Sequence, residues 1–205
     1  MKDNATESLV ACLLEMAETE TNPVLKVIST DIPLQENKKY PSGLLQFSQT
    51  GWRAYYHCHP ASRAGNHRFK GEHGHFHIFV RTQNDPDKWS HMVALAMDNM
   101  GQPLGWFTVN HWVTGEEWES ARVLVEYLKA TPYNHQSSLV ECWLLSLLSV
   151  SSNDVSMILY ERDNVLNKKK IMSEGNDIKM DKKLYLLSET QINLKELLGI
   201  NNNNL

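Results

Sequence analysis

A chain of 205 residues with 41% hydrophobic content suits one domain with a substantial apolar core. A net charge of -4 and a pI near 6.1 argue against a general nucleic-acid binder. No apolar run reaches the roughly 18 residues that a membrane span needs, and the three cysteines, Cys12, Cys58 and Cys142, form no CxxC pair.

The opening residues, Met1 to Glu7, lack the basic-then-apolar shape of a signal peptide. Together with an odd, scattered set of thiols this predicts a cytoplasmic, reduced protein. Residues 5–19 read as an amphipathic helix with Leu9, Leu13, Leu14 and Met16 as its apolar stripe. Residues 20–43 are polar, carry Pro23, Pro33 and Pro41, and read as a connecting segment. From about 44 to 113 the pattern alternates with period two. Trp52 to His59, His75 to Arg81, Trp89 to Asp98 and Leu104 to Trp112 are expected as antiparallel strands. After Gly115 the period becomes helical. Trp118, Val123, Val125 and Leu128 fit one helix, and Leu139 to Val150 a second, buried one. Asp154 to Leu166 fits a third, with Val155, Ile158, Leu159 and Leu166 on one side. Lys168 to Lys170 suits a solvated helix end, and Arg162 with Asp163 a surface ion pair. Residues 167–183 read as a loop, Leu184 to Ile200 as a short strand or helix, and 201–205 as a disordered tail. The expected class is α+β: a curved antiparallel sheet packed by an N-terminal helix and a C-terminal helical group. A single domain is expected over 1–200, with the β core at 44–113 and the helical part at 115–168.

The histidines carry the functional signal. All of the nine except His135 lie between His57 and His111. Five fall in two alternating runs, His57-Cys58-His59 and His73-Gly74-His75-Phe76-His77. Alternation is the strand period, so each run points its imidazoles to one face and turns Cys58 to the other. Imidazole is the commonest metal ligand and titrates near neutrality. A hairpin through Asn99-Met100-Gly101-Gln102-Pro103, symmetric about Gly101, sets His91 opposite His111. The looser pairing of the first two strands sets His57 against His75 and His59 against His73. Residues two apart on a strand lie about 6.6 Å apart and those four apart about 13 Å, so three or four histidines can share one ion. His57, His59, His75 and His77 are the first ligand candidates, with His91 and His111 next, and Glu72 is a candidate base or ligand. Three histidines with an open position suit zinc, and a carboxylate in place of one histidine suits iron(II) or manganese.

Arg53, Arg63, Arg68 and Arg81 fall in the same region, and their planar guanidiniums match carboxylate or phosphate. They are the candidate contacts to a small anionic substrate, with Pro60 to Glu72 as a loop beside it. Three readings follow. The first is a metal-dependent enzyme of hydrolase type, with Glu72 and His75 in catalytic roles. The second is a metal-free histidine nucleophile. The third is a non-catalytic module that senses a metal or ligand. Oligomeric state is not legible.

Two resemblances bear on these. Gly71 to Phe79, with Trp89 to Met97 and Gly105 to Asn110, resembles an uncharacterised bacterial domain family of unknown function, over roughly 45–165; this implies no activity. His73-Gly74-His75-Phe76-His77-Ile78-Phe79 also resembles the signature of the histidine-triad nucleotide hydrolases and transferases, departing from it at Gly74. That likeness implies that His75 attacks an α-phosphate, that His77 and His73 assist, and that Arg53 or Arg81 holds phosphate. The strands and helices that follow the motif, and the His57-His59 pair, have no counterpart in it.

Overall fold

Strands buried on both faces organise the middle of the chain, and the computed structural model describes residues 2–28, 35, 37–47, 50–58, 69–131, 138–172 and 177–200. The strands are β1 (Tyr40–Phe47), β2 (Trp52–Cys58), β3 (Glu72–Arg81), β4 (Trp89–Asp98), β5 (Pro103–Val109) and β6 (Leu186–Gln191). They form one sheet in the order β1-β2-β3-β4-β5-β6, with every neighbouring pair antiparallel. The helices are α1 (Lys2–Glu18), α2 (Pro23–Val27), α3 (His111–Thr114), α4 (Ala121–Lys129), α5 (Leu139–Val150), α6 (Ser152–Met172) and α7 (Leu194–Leu197). The class is the expected α+β, with an N-terminal helix and a later helical group around an antiparallel sheet.

One sheet face supplies the main core. Trp52, Ala54 and Tyr56 of β2, Phe76, Ile78 and Val80 of β3, and Val93, Leu95 and Met97 of β4 pack with the helices there. Helix α1 contributes Ala5, Leu9, Cys12 and Met16, a stripe at the 3.6-residue period. Leu14 lies off that stripe and is 59% exposed, contrary to its expected place in it. Helix α5 runs through the interior, with Trp143, Leu144, Leu145, Leu147 and Leu148 all buried. Its start is fixed by a capping box, in which Ser138 and Glu141 satisfy each other's backbone N–H. Helix α6 buries Val155, Ile158, Leu159 and Leu166, as its periodicity predicts. Among the described residues, no single helix is long and apolar enough to cross a membrane.

Several boundaries differ from the sequence reading. The sheet begins at Tyr40, inside the proline-containing segment, and a register shift between Tyr40 and Leu45 breaks the alternation there. Residues 167–172 continue α6 instead of opening a loop, with Lys169 and Lys170 in its last turn as the lysine run suggests, and α4 starts after Trp118. Strand β5 stops at Val109. Asn110 then caps α3 by accepting from His111 N at 2.9 Å, and Gly115 closes that single turn in the left-handed region, at φ 69. His111 and Trp112 are therefore helical. The β4–β5 hairpin is also out of step by one residue, with Ala94 opposite Phe107 and Ala96 opposite Gly105. Asp98 sets this register. Its carboxylate accepts from Met100 N and Gln102 N, both at 2.8 Å, around Gly101 at φ 77. His91 and His111 consequently do not face each other across the hairpin.

The sheet–helix contact predicts a stability test. Phe76 is fully buried, 5.0 Å from the Tyr56 ring and 6.2 Å from the Trp143 ring between centroids. Phe76→Ala should cost about 3–5 kcal/mol in urea denaturation. A loss of less than about 1 kcal/mol would contradict this account of the core.

Candidate metal centre

The other sheet face is also buried but is built differently. Strand β2 contributes Arg53, Tyr55 and His57; β3 contributes His75, His77 and Phe79; β4 contributes Ala94 and Ala96; and β5 contributes Phe107. His57 pairs directly with His75, as expected from the alternation. Their Nε2 atoms are 2.6 Å apart. His77 lies one strand step further on, with its ring centroid 4.8 Å from His75 and 5.2 Å from His57. One ligand atom from each of His57, His75 and His77 lies within 4.8 Å of the others, so the group could hold a metal ion. His75 and His77 are buried and His57 is half-buried.

Each of the two inner histidines is backed by a buried partner. Glu72 Oε1 lies 2.9 Å from His75 Nδ1, and His91 Nε2 lies 2.9 Å from His77 Nδ1. Both partners owe their position to a β-bulge. Between Glu72 and Gly74 the β3–β4 register shifts, so that Glu72 pairs with Asp98 while Gly74 pairs with Met97. This puts Glu72 on the histidine face, in the place that simple alternation assigns to His73. His73 leaves the row and lies 2.7 Å by Nδ1 from the Tyr56 hydroxyl. Between Ile78 and Phe79 the register shifts again, and His91 pairs with Phe79. Without that extra residue His91 would sit opposite Val80, among the helices. Bulges re-aim side chains in this way.

The carboxylate fixes the direction of one of these hydrogen bonds, and the ring orientations follow from it. The Glu72 carboxylate accepts the Nδ1–H of His75, so His75 presents its Nε2 lone pair and His57 Nε2–H donates to it. The same logic turns His77 Nε2 toward the group when its Nδ1–H donates to His91. Two ligand nitrogens on zinc, at about 2.0–2.1 Å each in a tetrahedron, would be about 3.3 Å apart. The ion would thus replace the shared proton with a parting of under about 1 Å between His57 and His75. The surroundings are small or aromatic and of low polarity. Ala96 and Ala94 sit opposite His75 and His77. The Phe107 ring stands edge-on to His75 at 5.1 Å, and Tyr55 lies against His57 and His77 at 5.7 and 5.3 Å. Burial pushes the Tyr55 hydroxyl up to about 12, so it stays protonated. Burial, followed by the nearby charge of Arg162, holds His91 down at about 3, so it remains neutral.

The other sequence candidates are placed as follows. His59, Arg63 and Arg68, with His67 and His135, lie outside the described residues. Glu72 contacts the outer nitrogen of His75. His91 is brought to the group through His77. His111 is not brought to it; its ring is 6.2 Å from Trp118, although it borders with His91 and Arg162 the same small cavity. Arg53 is paired with Glu116 at 2.5 Å and lies over the Trp89 ring at 4.3 Å. Arg81 lies over Trp89 at 5.1 Å. Arg162 corrects the expected surface pair: it is 2% exposed, binds Asp163 at 2.7 Å, and donates to Glu119 O at 2.7 Å. The row of three histidines implied by the histidine-triad likeness is not formed, because His73 bonds Tyr56. Sequence reading missed Ala94, Ala96, Phe107 and Tyr55 as the walls of the group. Their only signal is small or aromatic residues at the positions of β4, β5 and β2 that pair with the histidines.

The chain belongs to the DUF6969 family, a domain of unknown function, whose model matches residues 3–192. The match extends well beyond the 45–165 of the resemblance read from the motif. Neither a curated protein nor a solved structure matches the chain.

Gly74 tests the packing of the centre. A Cβ there would meet the His57 carbonyl oxygen and the Tyr56 hydroxyl, each at 2.5 Å. Backbone cannot yield cheaply, so Gly74→Ala should destabilise by roughly 1–3 kcal/mol, seen as a lowered thermal midpoint. An unchanged midpoint would mean that β2 and β3 are not held this closely.

Proposed function

We propose that this domain binds one divalent metal ion through the Nε2 atoms of His57, His75 and His77, with zinc as the preferred ion and iron(II) or manganese as alternatives. The observation that carries the reading is the pairing of the three convergent imidazoles with buried supports. Glu72 backs His75 and His91 backs His77. Metal-bound histidines characteristically give their second nitrogen to a carboxylate or another acceptor, which fixes the tautomer and raises ligand basicity. Glu72 thereby becomes a positioning group rather than a ligand or base. Its carboxylate is 1% exposed, so its hydrogen bond to His75 Nδ1 is shielded from water and holds the ring in place.

Three nitrogen donors match the count used where a metal keeps a position for water or substrate, whereas closed structural zinc sites use four. On this basis we extend the proposal to a metal-dependent activity on a small anionic substrate. A bound ion would supply Lewis acidity or an acidified water. The substrate would approach past His57, the least buried of the three. Arg63 and Arg68 follow in the next connecting segment of the sequence. Arg53 is already neutralised by Glu116, which weakens its candidacy as an anion contact. The unbridged thiols Cys12, Cys58 and Cys142 support a cytoplasmic setting.

Elemental analysis and calorimetric titration with zinc test the reading. The wild-type protein should take up one equivalent per chain, and the His75→Ala/His77→Ala variant none. Glu72→Gln should retain binding but weaken it about 10–100-fold. Removing the metal with a chelator should lower the thermal midpoint of the wild type alone. Failure of the wild type to bind zinc, iron(II) or manganese would overturn the proposal.

A further inference from the structure

A second reactive cluster lies on the opposite side of the sheet, at the contact between α1 and α5. Ser8 and Cys12 are one helical turn apart on α1, and Cys142 and Ser146 one turn apart on α5. Residues four apart share a helix face, so the two pairs form a square across the interface. Ser146 Oγ donates to Ser8 Oγ at 2.9 Å, and Ser8 Oγ lies 3.3 Å from Cys142 Sγ. The Cys12 and Cys142 side chains are hydrogen-bonded to each other. Cys12 is 4% exposed and Cys142 half-buried. Cys58, the remaining thiol, lies apart on β2.

We propose that Cys142 is an oxidant-reactive thiol and that Cys12 resolves it, so that a hydroperoxide converts the pair into a disulfide joining α1 to α5. The chemistry is complete with a hydroperoxide alone. The Cys142 thiolate attacks the terminal peroxide oxygen; an S–O bond forms, the O–O bond breaks, and hydroxide leaves from hydrogen peroxide, or alkoxide from an organic hydroperoxide. The Cys12 sulfur then attacks the sulfenic sulfur; an S–S bond forms, the S–O bond breaks, and the Cys12 proton leaves with hydroxide as water. The two thiols are oxidised by two electrons and the peroxide is reduced by two.

The cluster supplies what the first step needs. The hydrogen bond from Cys12 pulls the Cys142 thiol down to about 6, against burial and with help from the Ser8 and Ser146 hydroxyls. The same bond, with burial, pushes Cys12 up, so it stays protonated. Thiolate character combined with partial exposure selects the site of oxidation. The more exposed sulfur is therefore the one prepared to react, and the deeper one is held against it.

The test is treatment of the folded protein with stoichiometric hydrogen peroxide, followed by alkylation in denaturant and peptide mapping without reductant. The expected product is a Cys12–Cys142 linked peptide about 2 Da lighter than the separate thiol peptides, reversed by dithiothreitol, with Cys58 still alkylated. In Cys12→Ser, Cys142 should be trapped as a sulfenic adduct by a dimedone reagent. In Cys142→Ser, neither product should form. Alkylation of all three thiols in the treated wild type would overturn the proposal, as would oxidation of Cys58 in preference to Cys142. The Cys12→Ser adduct reads Cys142 reactivity separately, should Cys142→Ser fail to fold.

Discussion

Burying imidazoles between two strands obliges the protein to find a partner for each ring nitrogen, and the second sheet face is organised around that obligation. A ring nitrogen left without a partner at this depth would cost the full desolvation of a polar group. Glu72 meets it for the outer nitrogen of His75, and His91 for that of His77. The inner nitrogens are thereby turned toward one another. The convergence of His57, His75 and His77 follows from satisfying polar groups in a dry place, and it is this that makes the face a ligand set rather than a row of polar side chains.

The two faces of one sheet solve different problems. The helix-covered face is filled with large aliphatic and aromatic groups, and its energetics are those of packing. The histidine face sets the small Ala94 and Ala96 opposite His77 and His75 and packs Phe107, Phe79 and Tyr55 against the imidazoles, which excludes water. Removing water lowers the local dielectric, which strengthens the Glu72–His75 interaction and raises the cost of disturbing it. Arg162 joins the two layers. It rises from α6, is held by Asp163 and the Glu119 carbonyl, and shares a small cavity with His91. Its charge and the burial of His91 act in the same direction, keeping His91 neutral and able to accept from His77.

Much of the framework is legible from the chain alone, for identifiable reasons. Trp89 to Asp98 and Leu139 to Val150 match their elements residue for residue, because each is a continuous buried segment bounded by turn or cap signals. The pairing of His57 with His75 is legible because both runs alternate and one relative offset aligns them. Less was readable where local chemistry overrides periodicity. Asn110 and Gly115 are helix-cap signals that end β5 early, and the Asp98 carboxylate shifts the following hairpin by one residue. A shift of one residue exchanges faces, which is why His91 and His111 part company.

The sequence by itself determined that a histidine-rich antiparallel sheet lies between an N-terminal helix and a later helical group, and that His57, His75 and His77 share one side of it. Those conclusions rest on periodicity, which is a property of the chain. Only the tertiary structure decided which groups complete the cluster. Two bulges in the β3–β4 ladder exchange His73 for Glu72 and carry His91 from the helical side to the histidine side. A bulge is a mismatch in length between two paired strands, so it belongs to neither strand alone and leaves no period in either sequence.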